Sequence, residues 1–395
     1  MAHDLFNLDD NAKINDLKRL TRVLNAALIS KIRGHTQILA ALTPFTRISA
    51  LKQSLVSKGY SIKSEWGKLL MVEKANEVPF YVMLNKDTVA YFITLARKTE
   101  DVPATVLSYI SSAKELTLIR TGTRRLRTLR EELQDSYPGI QITYFTAHRD
   151  PHTPSKSAYR ADHHRTIIYS GEDGLDTLEE MEYHYGIIPK IMEFHAPRIF
   201  RFRLDVSGIY TLMEGRADPL INLLKGVVER TLDSSLSSAL GRSHAGITQV
   251  IVGTSSRSLN RAILQHMEEA LSIDCGISSF MQVMESRRGL YYTQLVDVED
   301  LARWELVKSG EDMRIIPGEG SNMRSLLKLI EVLEDHLSFT VIDIESSKDL
   351  GESNLNARVG LSDIGSNVVE EQDSSDGSIS TDPKPGNGND AEVGT

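Results

Sequence analysis

The chain has a single cysteine, Cys275, among 395 residues. An intramolecular disulfide is therefore excluded, a cysteine-built zinc site is not expected, and a reducing cytoplasm is the expected compartment. No stretch approaches the roughly 20 uninterrupted apolar residues that a membrane-spanning helix needs. Asp10, Asp16, Lys18 and Arg19 interrupt the N-terminal segment, so no signal-peptide core is expected there. Two phosphate-binding fingerprints are also missing. There is no Gly-Lys-Ser/Thr of a Walker loop, and no complete Gly-x-Gly-x-x-Gly.

Apolar residues are 41% and charged residues 25% of the chain, which is ordinary globular usage and excludes a fibrous or wholly disordered chain. Net charge is −9, but it is unevenly spread. Residues 1–79 hold 12 Lys/Arg against 7 Asp/Glu, while residues 346–395 hold 3 against 10. The last fifty residues lack aromatics and are rich in Gly, Ser, Asn and Asp, so they bury too little apolar surface to offset chain entropy. They read as a disordered acidic tail.

In the N-terminal segment, Ile14, Leu17, Leu20, Val23, Leu24, Ala27 and Leu28 recur at helical spacing over 13–32. A short apolar turn is expected through Ile38, Leu39 and Leu42. A second helix is expected over Ile48, Leu51, Leu55 and Val56, stopped by Gly59. Two extended pieces follow, 60–64 and 68–73. Helix, short helix, helix and hairpin resemble a winged helix-turn-helix, so residues 1–79 read as a basic helical segment that either binds DNA as a winged helix or is a small helical cap with a solvated cationic face. Arg47, Lys52, Lys58, Lys63 and Lys68 would then be the phosphate-facing cations.

The middle of the chain reads as an internal duplication, with α/β halves over 80–199 and 200–345. Phe80–Ile93 and Phe200–Met213 both read as hairpins. Helices are expected behind each, at Pro103 and Pro219. Strands at 116–119 and 248–252 run into Gly122-Thr123 and Gly253-Thr254, each followed by a helical pattern. Gly139 and Gly276 then open further extended runs, and Ser170-Gly-Glu-Asp173 recurs as Ser309-Gly-Glu-Asp312. Such units favour a sheet with crossover helices. The helix expected over Met323–His336 carries Leu326, Leu327, Ile330 and Leu333 at core spacing, and residues 339–342 read as the last strand.

Two groups bear on chemistry. Arg120, Gly122, Thr123, Arg124 and Arg125 form an expected anion-binding surface where a strand gives way to a helix. Six histidines lie between His148 and His195, at spacings that match no standard metal-ligand motif, so no metal or cofactor is expected. Within that region, His163-His-Arg165-Thr-Ile-Ile-Tyr-Ser170 resembles in part the His-x-Lys-x-x-x-x-Asp motif of the phospholipase D-like family. The resemblance implies a duplicated α/β fold over 115–345, with His163 as nucleophile or proton donor and Arg165 holding phosphate. Ser170 stands where that family has aspartate, and the second half has no histidine near Ala302-Arg303-Trp304.

The expected function is a non-enzymatic, cytoplasmic, nucleic-acid-associated regulator that self-associates and has no membrane contact. A phosphodiesterase or nuclease using His163 and Arg165 is the alternative, and a structural assembly protein is a third reading.

Overall fold

A computed structural model describes residues 6, 8–9, 11–29, 35–75, 77–85, 88–95, 98, 101–113, 115–149, 166–233, 247–254, 267, 271–272, 276–285, 290–299, 301–309, 312–337 and 339–346. The chain divides into two compact units, Met1–Ser347 and Lys348–Thr395, and every described residue belongs to the first. The expected tail therefore lies outside the described residues, apart from Ser346.

The first helix, α1 (Leu17–Ile29), starts where Asp16 accepts the Arg19 amide at 2.8 Å, a side-chain cap that satisfies one orphan donor. The next element corrects the expected helical turn. Thr36–Leu42 is a strand, β1, in which all seven residues are buried. A strand covered on both faces reads as a continuous apolar run, without the alternation that separates strand from helix in sequence. Helix α2 (Ile48–Ser57) and the hairpin β2 (Ser61–Trp66) and β3 (Leu69–Glu73) form as expected. The first hairpin of the middle region is β4 (Phe80–Leu84) with β5 (Val89–Thr94). A π-helical turn, Pro103–Leu107, runs into α3 (Ser108–Ser112), and β6 is only Thr117–Leu118.

Helix α4 (Thr123–Ser136) is followed by β7 (Gln141–Arg149), β8 (Thr166–Ser170), α5 (Gly174–Tyr185) and β9 (Ile187–Ala196). Then come β10 (Phe200–Asp205), β11 (Tyr210–Gly215) and α6 (Asp218–Asp233). The remaining elements are β12 (Ile247–Thr254), β13 (Ile277–Glu285), β14 (Leu290–Asp297), β15 (Arg303–Ser309), β16 (Asp312–Pro317), α7 (Met323–Leu337) and β17 (Phe339–Ser346). Met267, Leu271 and Ser272 are helical, and Met267 and Leu271 are wholly buried.

The strands form two antiparallel sheets. The larger runs β2-β3-β4-β5-β1-β11-β10-β9-β7-β8, with β6 also on β1. The smaller runs β13-β14-β15-β16-β12-β17. Matching β1 to β12 makes the strand order of the second sheet the same as β2-β3-β4-β5-β1-β6 of the first. In both, four strands meander back to a central strand, and a helix then leads to the strand on its far side. Strand β1 divides that far side: Thr36–Ile38 pair with β11, and Ala41 and Leu42 pair with β6.

Two of the expected sequence correspondences take different forms. Gly122 stands at a strand-to-helix turn, but Gly253 and Thr254 lie inside β12, where Gly253 pairs with both Asp312 and Thr340. Ser170-Gly-Glu-Asp173 leads into α5, whereas Ser309 and Asp312 face each other across the β15–β16 hairpin. Short Gly-Thr and Ser-Gly-Glu-Asp strings suit either kind of turn, so sequence likeness does not fix the surrounding geometry.

Alternation along the strands builds a core on each face of the larger sheet. Tyr91 and Ile93 join Leu24 of α1, Leu126 and Leu129 of α4, Leu178 of α5 and Leu224 of α6 on one face. Ala90 and Phe92 join Leu51 and Leu55 of α2 with Tyr109 and Ile110 of α3 on the other. Beyond β1 the second face becomes polar. Ser170, Tyr144, Glu193, Arg203, Thr211, Gln37 and Thr94 stand opposite one another in register across β8, β7, β9, β10, β11, β1 and β5. Glu193, between Tyr144 and Arg203 in this row, is 1% exposed. It accepts from Arg203 at 2.6 Å, from Arg201 at 2.7 Å and from Thr143 at 2.9 Å. Burial pushes its pKa up, but the bonds from Arg203, Arg201 and Thr143 outweigh that and hold it below the ordinary carboxylate value. Arg203 also lies over the Tyr144 ring, 4.4 Å from its centroid.

Candidate functional site

Three of the expected anion-binding residues line one cavity, whose walls come from several separate elements of the fold. The β6–α4 connection supplies Ile119, Arg120, Thr121 and Gly122, and the first turn of α4 supplies Arg125. Leu107, Ile110 and Ser111 come from the π turn and α3. Thr231 of α6 and Glu299 after β14 close two sides, and α7 contributes Arg324, Leu327, Lys328, Ile330 and Glu331. The volume is about 230 Å³.

The β6–α4 connection is held by backbone contacts that the sequence dictates. Gly122 takes φ +68°, a conformation open to glycine. The amides of Thr121 and Gly122 both donate to the Val206 carbonyl at 3.1 Å. Gly208, at φ +83°, permits the approach: a Cβ there would sit 2.2 Å from the Ile119 carbonyl oxygen. Thr121 Oγ1 lies 2.8 Å from the Tyr210 hydroxyl, and burial raises the Tyr210 pKa to about 12, so the phenol stays protonated as a partner.

Four cations and two carboxylates line the cavity. Arg120 Nε lies 3.0 Å from Glu331 Oε2. Arg125 donates to Thr231 Oγ1 at 2.7 Å. Arg324 donates to the carbonyls of Ile110 at 2.7 Å and Ser111 at 3.1 Å, and lies 3.9 Å from Glu299. Lys328 donates to Glu299 at 2.7 Å and to the wholly buried Asp297 at 3.0 Å. The Lys328 bond holds Glu299 below the ordinary carboxylate range against the effect of burial. Burial pushes Lys328 down, but its bonds to Glu299 and Asp297 prevail and raise it. Behind this wall the Trp304 indole donates to Ser325 of α7 at 2.7 Å.

Of the five expected anion-site residues, Arg120, Gly122 and Arg125 line the cavity. Thr123 is buried at the start of α4, and Arg124 is exposed. The sequence reading missed Arg324, Lys328, Glu299 and Glu331. Arg324 and Lys328 are four residues apart and share a helix face with Glu331, but the apolar stripe of α7 masked that polar face.

The expected DNA-facing cations are placed differently. Lys52 bonds to Glu65, and Lys63 lies 2.6 Å from Glu73, so carboxylates on β2 and β3 answer two of the five. Arg47 and Lys58 flank α2 and are exposed, while Lys68 is half-buried. His163 and Arg165 lie outside the described residues. His148 and His195 are on β7 and β9 but pair with Ile188 and Gln141, toward opposite ends of that strand pair. Among the described residues no group of three or more His, Cys, Asp or Glu could hold a metal ion, and no helix is long and apolar enough to cross a membrane.

The profile of the AF_0896_M family middle domain matches residues 124–207, from the first turn of α4 to the β10–β11 turn. A protein of Archaeoglobus fulgidus carrying the name "Uncharacterized protein" is 28% identical over 162 residues, 40% of this chain and 44% of that relative. The match thus spans less than half of the relative's length. No solved structure matches the chain.

Proposed function

We propose that this chain is a ligand-binding regulatory protein, and that the cavity between α3, α4 and α7 is where a small anionic molecule binds. The observation that carries this reading is the meeting of Arg120, Arg125, Arg324 and Lys328 from separate elements around one apolar-walled space. Pockets with a few convergent polar groups on an apolar lining are the usual form of small-molecule sites. The π turn adds support, because Leu107 ends it and lines the cavity, and π-helical turns concentrate at functional sites.

The shared strand order gives the cavity a place in the architecture. We read β1–β6 and β12–β17 as two copies of one unit, displaced from the 80–199 and 200–345 halves expected from sequence. Helices α3 and α7 hold equivalent positions in these copies, so a ligand between them would couple the two sheets.

A thermal-shift titration tests the site. An acid held at about 100 times its Kd should add about 2.7 kcal/mol of stability. The shift should disappear in Arg125→Ala and Arg324→Ala. A rise in Tm that both variants retain places binding elsewhere and overturns the assignment.

Nucleic-acid association is a second reading, favoured by the exposed Arg47 and Lys58 at the two ends of α2. It expects salt-sensitive binding of labelled duplex DNA that weakens in the Arg47→Ala/Lys58→Ala variant. Fluorescence anisotropy at 50 and 200 mM salt, typical test values for such binding, measures this; affinity that ignores both salt and substitution rejects it.

A further inference from the structure

Resting on the reading that the cavity holds a ligand, we infer that the ligand carries two separated acidic groups on an apolar spacer. It enters by exchange, displacing Glu331 from Arg120 and Glu299 from Arg324 and Lys328. The cations fall into two sets. Arg120 and Arg125 belong to the β6–α4 connection and the first turn of α4, and Arg324 and Lys328 sit four residues apart on α7. Apolar side chains, among them Ile110, Ile119, Leu327 and Ile330, complete the lining. Each set already holds one carboxylate from an element other than its own: Glu331 of α7 on Arg120, and Glu299 from the turn after β14 on the α7 pair. The cavity is thus self-filled with two carboxylates, one at each cation set.

Displacing both internal carboxylates at constant charge takes two acidic groups. A single-headed anion answers one set and leaves the other to its internal carboxylate. The contacts that remain on the α7 cations make exchange feasible. When Glu299 leaves, Lys328 keeps Asp297, and Arg324 keeps the carbonyls of Ile110 and Ser111. The Glu299 side chain is 54% exposed and turns readily to water, whereas Glu331 is 18% exposed. The Glu299 end therefore exchanges first, and the second acidic group completes the displacement of Glu331. That last step replaces the direct Glu331–Arg120 tie between α7 and the β6–α4 connection with a bridge through the ligand. Because head groups exchange at nearly constant charge, affinity comes from the spacer. Each buried methylene should tighten binding about fourfold until the spacer outgrows the cavity.

The test is calorimetric titration of the full chain with acetate, inorganic phosphate and the straight dicarboxylates from succinate to suberate. Trp304 fluorescence reports α7. Affinity is expected to climb with chain length to an optimum, with acetate and phosphate at least about tenfold weaker than the best diacid. Glu331→Gln should bind that diacid roughly three- to tenfold tighter, since an internal competitor is gone. Arg324→Met should weaken it at least about tenfold. If acetate or phosphate binds as well as any diacid and Arg120→Met abolishes it, the cavity is an anion site and the two-headed exchange is wrong. Chain-length dependence that Glu331→Gln leaves unmoved also overturns exchange while sparing the site. No binding of any of these acids to the wild-type chain overturns both. The chain-length series on wild type stands even if a variant fails to fold.

Discussion

Replacing Glu193 by Gln probes how the middle of the larger sheet is held. Glu193 sits on β9 at 1% exposure, between Arg201 and Arg203 of β10, with Thr143 of β7 donating to the same carboxylate. The substitution preserves shape but removes the charge, and turns an amide NH₂ toward an arginine, which can only donate. Removing one member of a buried ion pair costs about 3–5 kcal/mol, because the partner is left charged and dry. Here the arginine side chains are 37% and 28% exposed, so water recovers part of that loss and about 2–3 kcal/mol is expected. For a unit of this size that lowers Tm by about 3–4 °C. Replacing Glu193, Arg201 and Arg203 together by Leu, Met and Met should restore most of the stability, since no charge is then stranded. Differential scanning calorimetry at neutral pH reads both variants. A Glu193→Gln variant within 1 °C of wild type (about 0.7 kcal/mol) would falsify the view that this buried carboxylate ties β7, β9 and β10 together.

Three further outcomes follow from the same geometry. Gly208→Ala places a methyl group 2.2 Å from the Ile119 carbonyl at a positive φ, and should cost about 2–4 kcal/mol in denaturant melts while reducing acid binding at the cavity; an unchanged midpoint contradicts the close approach. Lys328→Met strands Asp297, which is wholly buried, and should cost about 3 kcal/mol or more, partly recovered by adding Asp297→Asn. Glu299 and Glu193 are held below their unfolded pKa, so their stabilisation is present above the ordinary carboxylate range near pH 4 (about 4) and fades as pH falls through the folded values. Lys328 is held above its unfolded pKa, so its share persists below about pH 10 and fades as pH rises through the folded value. The share of stability from these three groups should therefore be flat between these limits, and a wild-type versus Glu193→Gln difference in stability that changes around neutrality contradicts the assignment.

Much of the secondary structure is legible in the residues because local chemistry decides it. Asp16 starts α1, Asn322 receives the Ser325 amide at 3.0 Å at the start of α7, and alternating or apolar runs mark the hairpins. Strand β1 is misread because burial on both faces erases the period that distinguishes strand from helix. Its partners are equally hidden: β5, β6 and β11 reach it from distant parts of the sequence, and no local signal encodes that register. The cavity is half legible for the same reason. Arg120, Gly122 and Arg125 are neighbours in sequence and were found, whereas Glu299, Arg324 and Lys328 come from about 175 to 210 residues further on and meet them only through the fold.

A crystal of the full chain grown with the tightest-binding dicarboxylate tests the central claim most directly. One carboxylate should lie against Arg120 and Arg125 and the other against Arg324 and Lys328, with Glu299 and Glu331 turned out of the cavity. Diacid density at any other surface, with Glu331 still on Arg120, would contradict the claim that this junction is the ligand site.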